Sequence, residues 1–344
     1  MKRVTLKDVA KRSGVSIQTV SRVINNLPYV SEGTKKKVFQ AIEELNYRPS
    51  VEGRKLASLK NSPKARTNNI GCVLFPTYNK YSEPFFSEIL EKIDCCLMEF
   101  NLHHYFTYTL HDIQDQSLYY RMINPEMVDG ILLIGTGDKY YQEVKKIRKN
   151  IDNLVILVDY ISDGSISSVY PDGLDAGYQA TKYLLNCGHK RIACITGYLE
   201  WSGYAKLRFM GYLKALKEFG IKFDENLVGE GKYSIEEAVK ATELILKERP
   251  TAIFAVSDPM AIGVYKTIQK NGLKIPDDIS VIGCDGIRLG EHLWPPLTTI
   301  GINKKEMVKE AIKVLIEEIE GKRKTPIRVV FPVYLIERKS CRKI

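Results

Sequence analysis

Nothing in this sequence is long and apolar enough to span a membrane: its hydrophobic runs stop well short of the ~18 residues a spanning helix needs. The opening MKRVTLKDVAKRSG has charge but no apolar centre, so no secretory leader is expected and a cytoplasmic location is. The 7 cysteines among 344 residues form no CxxC pair and mostly sit in apolar runs, as reduced, buried thiols do. The 5 histidines show no ligand spacing, so no metal site is expected. GxSxG and P-loop motifs are missing. The nearest glycine motif, GTGDKY (135–140), lacks the third glycine and the acidic partner of a dinucleotide fingerprint. An enzyme is therefore not expected, nor a cofactor.

Charge excess is missing from most of the chain. Residues 1–66 hold 15 Lys and Arg against 5 acidic residues, and residues 67–344 hold 36 of each. The whole net charge of +10 thus lies in the first fifth. That asymmetry points to a polyanion-binding module joined to a body with another task.

The basic segment carries helical periodicity. Thr5 with Asp8 three residues on is a helix start, and Leu6, Val9 and Ala10 follow at i, i+3 and i+4. Gly14 ends the run. Ser16 caps a second short helix on which Ile17, Val20, Val23 and Ile24 recur. Ser31 opens a third with Val38, Ala41, Ile42 and Leu45 inward. Two short helices around a glycine turn describe a helix-turn-helix. A recognition helix puts its N-terminal residues at base edges, here Ile17 and Gln18, with Arg22 a turn later. Gln pairs bidentately with adenine and Arg with guanine. Thr5, Ser16, Thr19, Ser21 and Asn25 suit phosphate contacts.

The run TLKDVAKRSGVSIQTVSRVINNLPYVSEGTKKKVFQAIEELNYRPS resembles the headpiece of the LacI/GalR family of bacterial transcription regulators. The resemblance implies that Ile17, Gln18 and Arg22 read bases. It also implies that RPSVEGRKLASLK (48–60) holds a short hinge helix whose Arg54 and Leu56 match the family pattern, Leu56 being a minor-groove wedge. Gly53 departs from the Ala-rich pattern and weakens such a helix by ~1 kcal/mol.

From residue 68 the rhythm changes. Val/Ile/Leu-rich runs at 70–75, 129–135, 154–159, 191–197, 251–258 and 278–285, with HHYFTYT, read as strands. Helical patterns at 138–150, 173–186, 203–219, 235–248, 258–271 and 304–320 separate them. Continuous apolar strands alternating with helices mean parallel sheets covered on both faces, in two doubly wound α/β lobes. Ligands bind at the carboxyl ends of such strands, which nominates Asp159, Ser257, Asp258 and Asp285. Each could instead cap the next helix.

IGCVLFPTYNKYSEPFF, VYPDGLDAGYQATKYLLNCGHKRIACITG, AVSDPMAIGVYKTIQKNGLKIPDDISVIGCDG and PPLTTI resemble the effector domain of the same family. The implied fold is a small all-α helix-turn-helix headpiece plus two parallel-sheet lobes similar to periplasmic sugar-binding proteins. Implied boundaries are 1–48 for the headpiece, 49–68 for hinge and linker, and 69–344 for the effector domain. Within the last, the N-lobe covers about 69–188 and 302–326 and the C-lobe about 189–301 and 327–344, with crossings near 188–191, 300–303 and 326–330. Phe86 and Tyr233 match aromatic positions that sandwich a ligand, Arg208 an arginine that holds its polar groups, and Asp285 and Asp172 acidic contacts. Phe85, Tyr204, Ser257, Trp201 and Trp294 are weaker matches.

The combined expectation is a homodimeric repressor that binds pseudo-palindromic double-stranded operator DNA and is released by a sugar inducer. A corepressor-type regulator sensing a purine or other metabolite is the alternative. An exported sugar-binding protein fits poorly with a basic headpiece.

Overall fold

Asp8 begins the first helix by accepting hydrogen bonds from the Thr5 amide at 2.8 Å and the Thr5 hydroxyl at 2.7 Å. Helix α1 (Leu6–Ser13) then ends at Gly14, whose φ of 69° is the left-handed conformation that glycine adopts without strain. Ser16 caps α2 (Ile17–Ile24) by accepting from the Thr19 amide at 3.0 Å. Ser31 does the same for α3 (Glu32–Glu44) through Thr34. Val9, Ala10, Val20, Val23, Val38, Ala41 and Tyr47 form the small shared core. This is the three-helix arrangement that the spacing predicts.

The computed structural model describes residues 4–24, 30–45, 47, 66–75, 83–115, 118–119, 123–200 and 203–344. They divide into two units, Met1–Arg66 and Thr67–Ile344. The segment read as hinge helix lies outside the described residues.

In the larger unit, continuous β-branched runs become the inner strands of the sheets, buried on both faces. The first sheet has the order β11-β5-β4-β3-β1-β2 and is parallel throughout. Its strands are β1 (Asn69–Leu74), β2 (His103–Thr109), β3 (Gly130–Ile134), β4 (Leu154–Leu157), β5 (Ser167–Pro171) and β11 (Arg328–Phe331). The second sheet runs β12-β10-β9-β8-β6-β7. It comprises β6 (Ile192–Thr196), β7 (Val228–Glu230), β8 (Ala252–Ala255), β9 (Ser280–Asp285), β10 (Thr298–Ile302) and β12 (Val333–Ile336). Only the β10–β12 pair is antiparallel. The helices that follow strands are α4 (Pro84–Glu99), α5 (Tyr141–Arg148), α6 (Gly173–Asn186), α7 (Gly203–Glu218), α8 (Ile235–Ile245), α9 (Asp258–Lys270) and α10 (Lys304–Ile319).

The chain passes between the sheets three times, and two passages differ from the sequence reading. Helix α6 packs on α7 and on strands of the second sheet, so the first passage falls at 171–173 and not at 188–191. Strand β11 pairs with β5, so the last falls at Pro332 and not at 326–330. The middle one, at Asn303, lies within the expected 300–303, because α10 packs on α4 and on β3, β4 and β5. The reason for the first difference is the α6–α7 contact. A Cβ on Gly177 would lie 1.9 Å from the Arg208 carbonyl oxygen, and one on Gly211 would lie 2.2 Å from the Leu174 carbonyl oxygen. Two glycines facing each other bring the helix backbones into direct contact, a tertiary consequence that periodicity does not encode. Among the described residues, no helix is long and apolar enough to cross a membrane.

Gly177→Ala tests this contact. The added methyl meets backbone, which cannot rotate away, so urea denaturation should show a loss of at least 1–3 kcal/mol. Unchanged stability would show that α6 and α7 can separate freely.

Candidate functional site

In the helical unit, Ile17 is 47% exposed although its neighbours Val20 and Val23 are buried. Ile17 and Gln18 thus stand outward at the N-terminus of α2, where a recognition helix meets base edges. Arg22, Ser21 and Thr19 are half-buried. The Thr5 and Ser16 hydroxyls serve their own helix caps, Thr5 towards Asp8 and Ser16 towards Thr19. Asn25, Arg54, Leu56 and Trp201 lie outside the described residues.

The second constellation is built around α7. The α6–α7 contact sets the height of Arg208, whose side chain is 1% exposed. Its Nη2 donates to Asp285 Oδ1 at 2.5 Å and to the Tyr204 hydroxyl at 2.6 Å, and its Nη1 donates to the Val256 carbonyl. The guanidinium also lies over the ring of Tyr204, one helical turn earlier, with 4.2 Å from Cζ to the ring centroid. Burial pushes the Asp285 carboxyl above the usual range, with Arg208 opposing.

Asp285 ends β9 with φ 119°, a conformation non-glycine residues rarely hold unless surroundings enforce it. The enforcing groups are visible. Asp258, fully buried, accepts from the Ile287 amide at 2.8 Å and from the Thr299 hydroxyl at 2.6 Å. Burial, then Asp285, raises Asp258 to about 7. Lys304 Nζ donates to the Gly286 carbonyl at 2.8 Å and pairs with Glu88 at 3.1 Å. The Arg288 amide donates to the other oxygen of Glu88 at 2.8 Å. Glu88 belongs to α4 of the first lobe, so the loop carrying Asp285 is tied to the opposite lobe.

The first lobe meets the second through α4, which reaches this loop, and through the turn after β4, which reaches the start of α7. Phe85 is buried in the core, edge-on to Phe86 at 5.4 Å, and Phe86 is half-buried. At the end of β4, Val158 has φ 82°, a genuine outlier for a β-branched residue. It turns the chain into Asp159, 5% exposed, and Tyr160, whose ring lies 2.8 Å from where a Gly203 Cβ would be. Tyr233, with φ 56°, lays its ring on Gly197, where a Cβ would meet it at 2.3 Å.

The structure therefore brings Arg208, Tyr204 and Asp285 into one bonded group. Tyr233 is near enough for the charges of Arg208, Asp285 and Asp159 to act on its hydroxyl, and Phe86 stands beside Phe85 at the start of α4. Asp172 and Ser257 are helix caps, accepting from the Asp175 amide at 2.9 Å and the Met260 amide at 3.4 Å. Asp258 supports the Asp285 loop. Sequence reasoning missed Glu88, Tyr160 and Lys304. Tyr160 had a signal, its place just after a strand; Glu88 and Lys304 had none, because their partners lie some 200 residues away in the chain.

Chemically, the group offers a planar cation–carboxylate pair and flanking aromatic faces, suited to a flat or ring-shaped ligand with both donors and acceptors. Arg208→Met would strand Asp285 in the interior. Urea denaturation should show a loss of about 3–5 kcal/mol, with much of it restored when Asp285→Leu is added. An additive double variant would mean that the two residues do not act as a pair.

Residues 5–50 match the description "Bacterial regulatory proteins, lacI family", and residues 181–341 match "Periplasmic binding protein-like domain". The chain is 35% identical to the HTH-type transcriptional repressor PurR of Aliivibrio salmonicida, over 99% of both chains. Among solved structures it resembles the lac repressor dimer bound to operator and the anti-inducer ONPF, with TM-score 0.76 and 27% identity over 99% of this chain and 100% of that one. It also resembles the transcriptional regulator CelR–cellobiose complex, with TM-score 0.73 and 29% identity over 98% of this chain and 100% of that one.

Proposed function

This chain belongs to the lacI family of bacterial regulatory proteins, DNA-binding transcriptional repressors, and from that premise we propose that its operator binding is controlled by an effector of the purine class acting as corepressor. The observation that carries this reading is the full-length similarity to repressors called PurR, joined to the Arg208–Asp285 pair. It favours the purine alternative over the sugar inducer expected from the sequence. A buried guanidinium and carboxylate beside Tyr204 and Tyr233 suit a flat heterocycle whose edge carries both donors and acceptors. A sugar-responsive repressor is the second reading, supported by the likeness to the cellobiose complex.

Two protomers would present two copies of α2 to the halves of a pseudo-palindromic site, since one headpiece of this size reads a half-site. Phosphate contacts make such binding steeply salt-dependent. The effector acts by favouring one arrangement of the two lobes, and it shifts operator affinity only by its differential affinity for the two arrangements. The Arg288–Glu88 and Lys304–Gly286 contacts are where the first lobe registers a movement of the Asp285 loop.

The test is fluorescence anisotropy on an operator selected from a random duplex library. Hypoxanthine or guanine should tighten binding by about 5–150-fold, whereas cellobiose and ribose should do nothing. Release by a sugar would replace the proposal with the second reading. On the same operator, Gln18→Ala should change preference at particular base pairs and leave the salt slope intact. A uniform loss across all sequences would remove Gln18 from the base-reading set.

A further inference from the structure

Helix α7 is apolar on the side that faces solvent as well as on the side that faces its lobe. The inner face is committed: Gly211 meets the α6 backbone, and the Tyr212 hydroxyl donates to the Ile192 carbonyl of β6 at 2.9 Å. A surface helix normally confines its apolar residues to one such stripe, and a helix that is apolar all round is normally covered all round. Among the helices of the larger unit, α7 confines them least. Lys206, Met210, Lys214 and Lys217 recur at i, i+4, i+8 and i+11, so they line up along its outer face, and all four are exposed. Met210, within this row, is 53% exposed. The turn beyond the helix adds Phe219 and Phe223, 38% and 44% exposed. Phe223 stands edge-on to Phe209 at 6.3 Å, and Phe209 stacks on Tyr212 at 5.9 Å, so the aromatic side chains are held in place from below.

The charge of this face is one-sided. Residues 67–344 balance overall, with 36 basic and 36 acidic residues. Here exposed Lys206, Lys214, Lys217 and Lys222 stand against Glu218, Asp224 and Glu225, and two of those carboxylates are engaged elsewhere. Glu218 accepts from the Tyr178 hydroxyl at 2.8 Å and pairs with Lys182 at 3.8 Å. Asp224 accepts from the Asn226 amide at 3.1 Å and pairs with Arg191 at 3.7 Å. Lys214 lies over the Tyr178 ring at 4.8 Å, a contact that leaves its charge in place. Among the described residues, none of the four lysines has a carboxylate partner.

Apolar side chains among unneutralised ammonium groups narrow the occupant. A second copy docking by the same face would set lysine against lysine. DNA would engage the lysines and leave Met210, Phe219 and Phe223 against phosphate. A lipid surface takes a helix with one wide apolar stripe, and the widest stripe of α7 is turned inward onto α6 and β6. We propose that the outer face of α7 and the turn after it dock an acidic amphipathic segment of another protein. Apolar side chains of that segment cover Met210, Phe219 and Phe223, and its Asp and Glu side chains meet Lys206, Lys214 and Lys217. An apolar centre with a charged rim is the ordinary layout of such an interface. The regulator thus has a protein partner besides its operator and its effector.

The test is selection from a displayed library of random peptides, each 16 residues long like α7. The target is the full chain with operator duplex bound, so that the basic headpiece is occupied. Enriched peptides should interleave Asp or Glu with Leu, Phe or Trp. By fluorescence anisotropy they should lose at least ~10-fold in affinity for Met210→Ser and for the double variant Lys214→Glu, Lys217→Glu, and the second loss should shrink as salt rises. Both variants change exposed side chains, and circular dichroism with unchanged operator binding checks that they fold. Enriched peptides without acidic residues, peptides that bind both variants as tightly as the wild type, or a library that yields no binder would each overturn the proposal. Co-sedimentation with phosphatidylglycerol vesicles that is lost in Met210→Ser would replace the protein partner with a lipid surface. Self-association in sedimentation velocity that weakens in the same variant would replace it with a second copy.

Discussion

A guanidinium and a carboxylate buried together must each give up their hydration, and their mutual attraction offsets that only when every remaining donor and acceptor is placed. Arg208 and Asp285 set this condition on the second lobe. Tyr204 and the Val256 carbonyl take up the other Nη hydrogens. The α6–α7 contact through Gly177 and Gly211 fixes how far into the cleft the arginine reaches. Asp258, Thr299 and Lys304 hold the chain in the unfavourable backbone conformation that aims Asp285 at it.

The same requirement links the lobes. The loop after β9 cannot move without disturbing Glu88, because the Arg288 amide and Lys304 both bind that carboxylate. Glu88 lies on the helix that begins with Glu83, Phe85 and Phe86, so one rigid element carries both the first lobe's face of the cleft and its attachment to the second. A ligand that favours one position of the Asp285 loop therefore favours one position of α4. Such a link is the physical element through which a control mechanism acting between the lobes would work.

Much of this was legible before any coordinates. Capping residues and i, i+3, i+4 spacing located the three short helices, and the charge divide at residue 66 separated the units. Ile17 stood at helical spacing yet proved exposed, and its place at the start of α2 accounts for that better than its hydrophobicity does. Family motifs nominated Arg208 and Asp285, which do meet. They also nominated Asp172 and, more weakly, Ser257, whose oxygens cap helices, and Phe85, which is buried in the core. A residue after a strand can cap or bind, and sequence spacing is identical in the two cases.

The sequence alone determined the strand and helix alternation and the helix-turn-helix, because these rest on local periodicity, capping and composition, which a single stretch of chain carries, and its family motifs pointed to the class of protein. Tertiary structure alone decided where the chain passes between the lobes and which carboxylates pair with which cations. Those outcomes depend on groups as far apart as Glu88 and Lys304. Burial and pairing belong to the assembled interior, where the cost of an unmet charge is set by neighbours that the local sequence does not name.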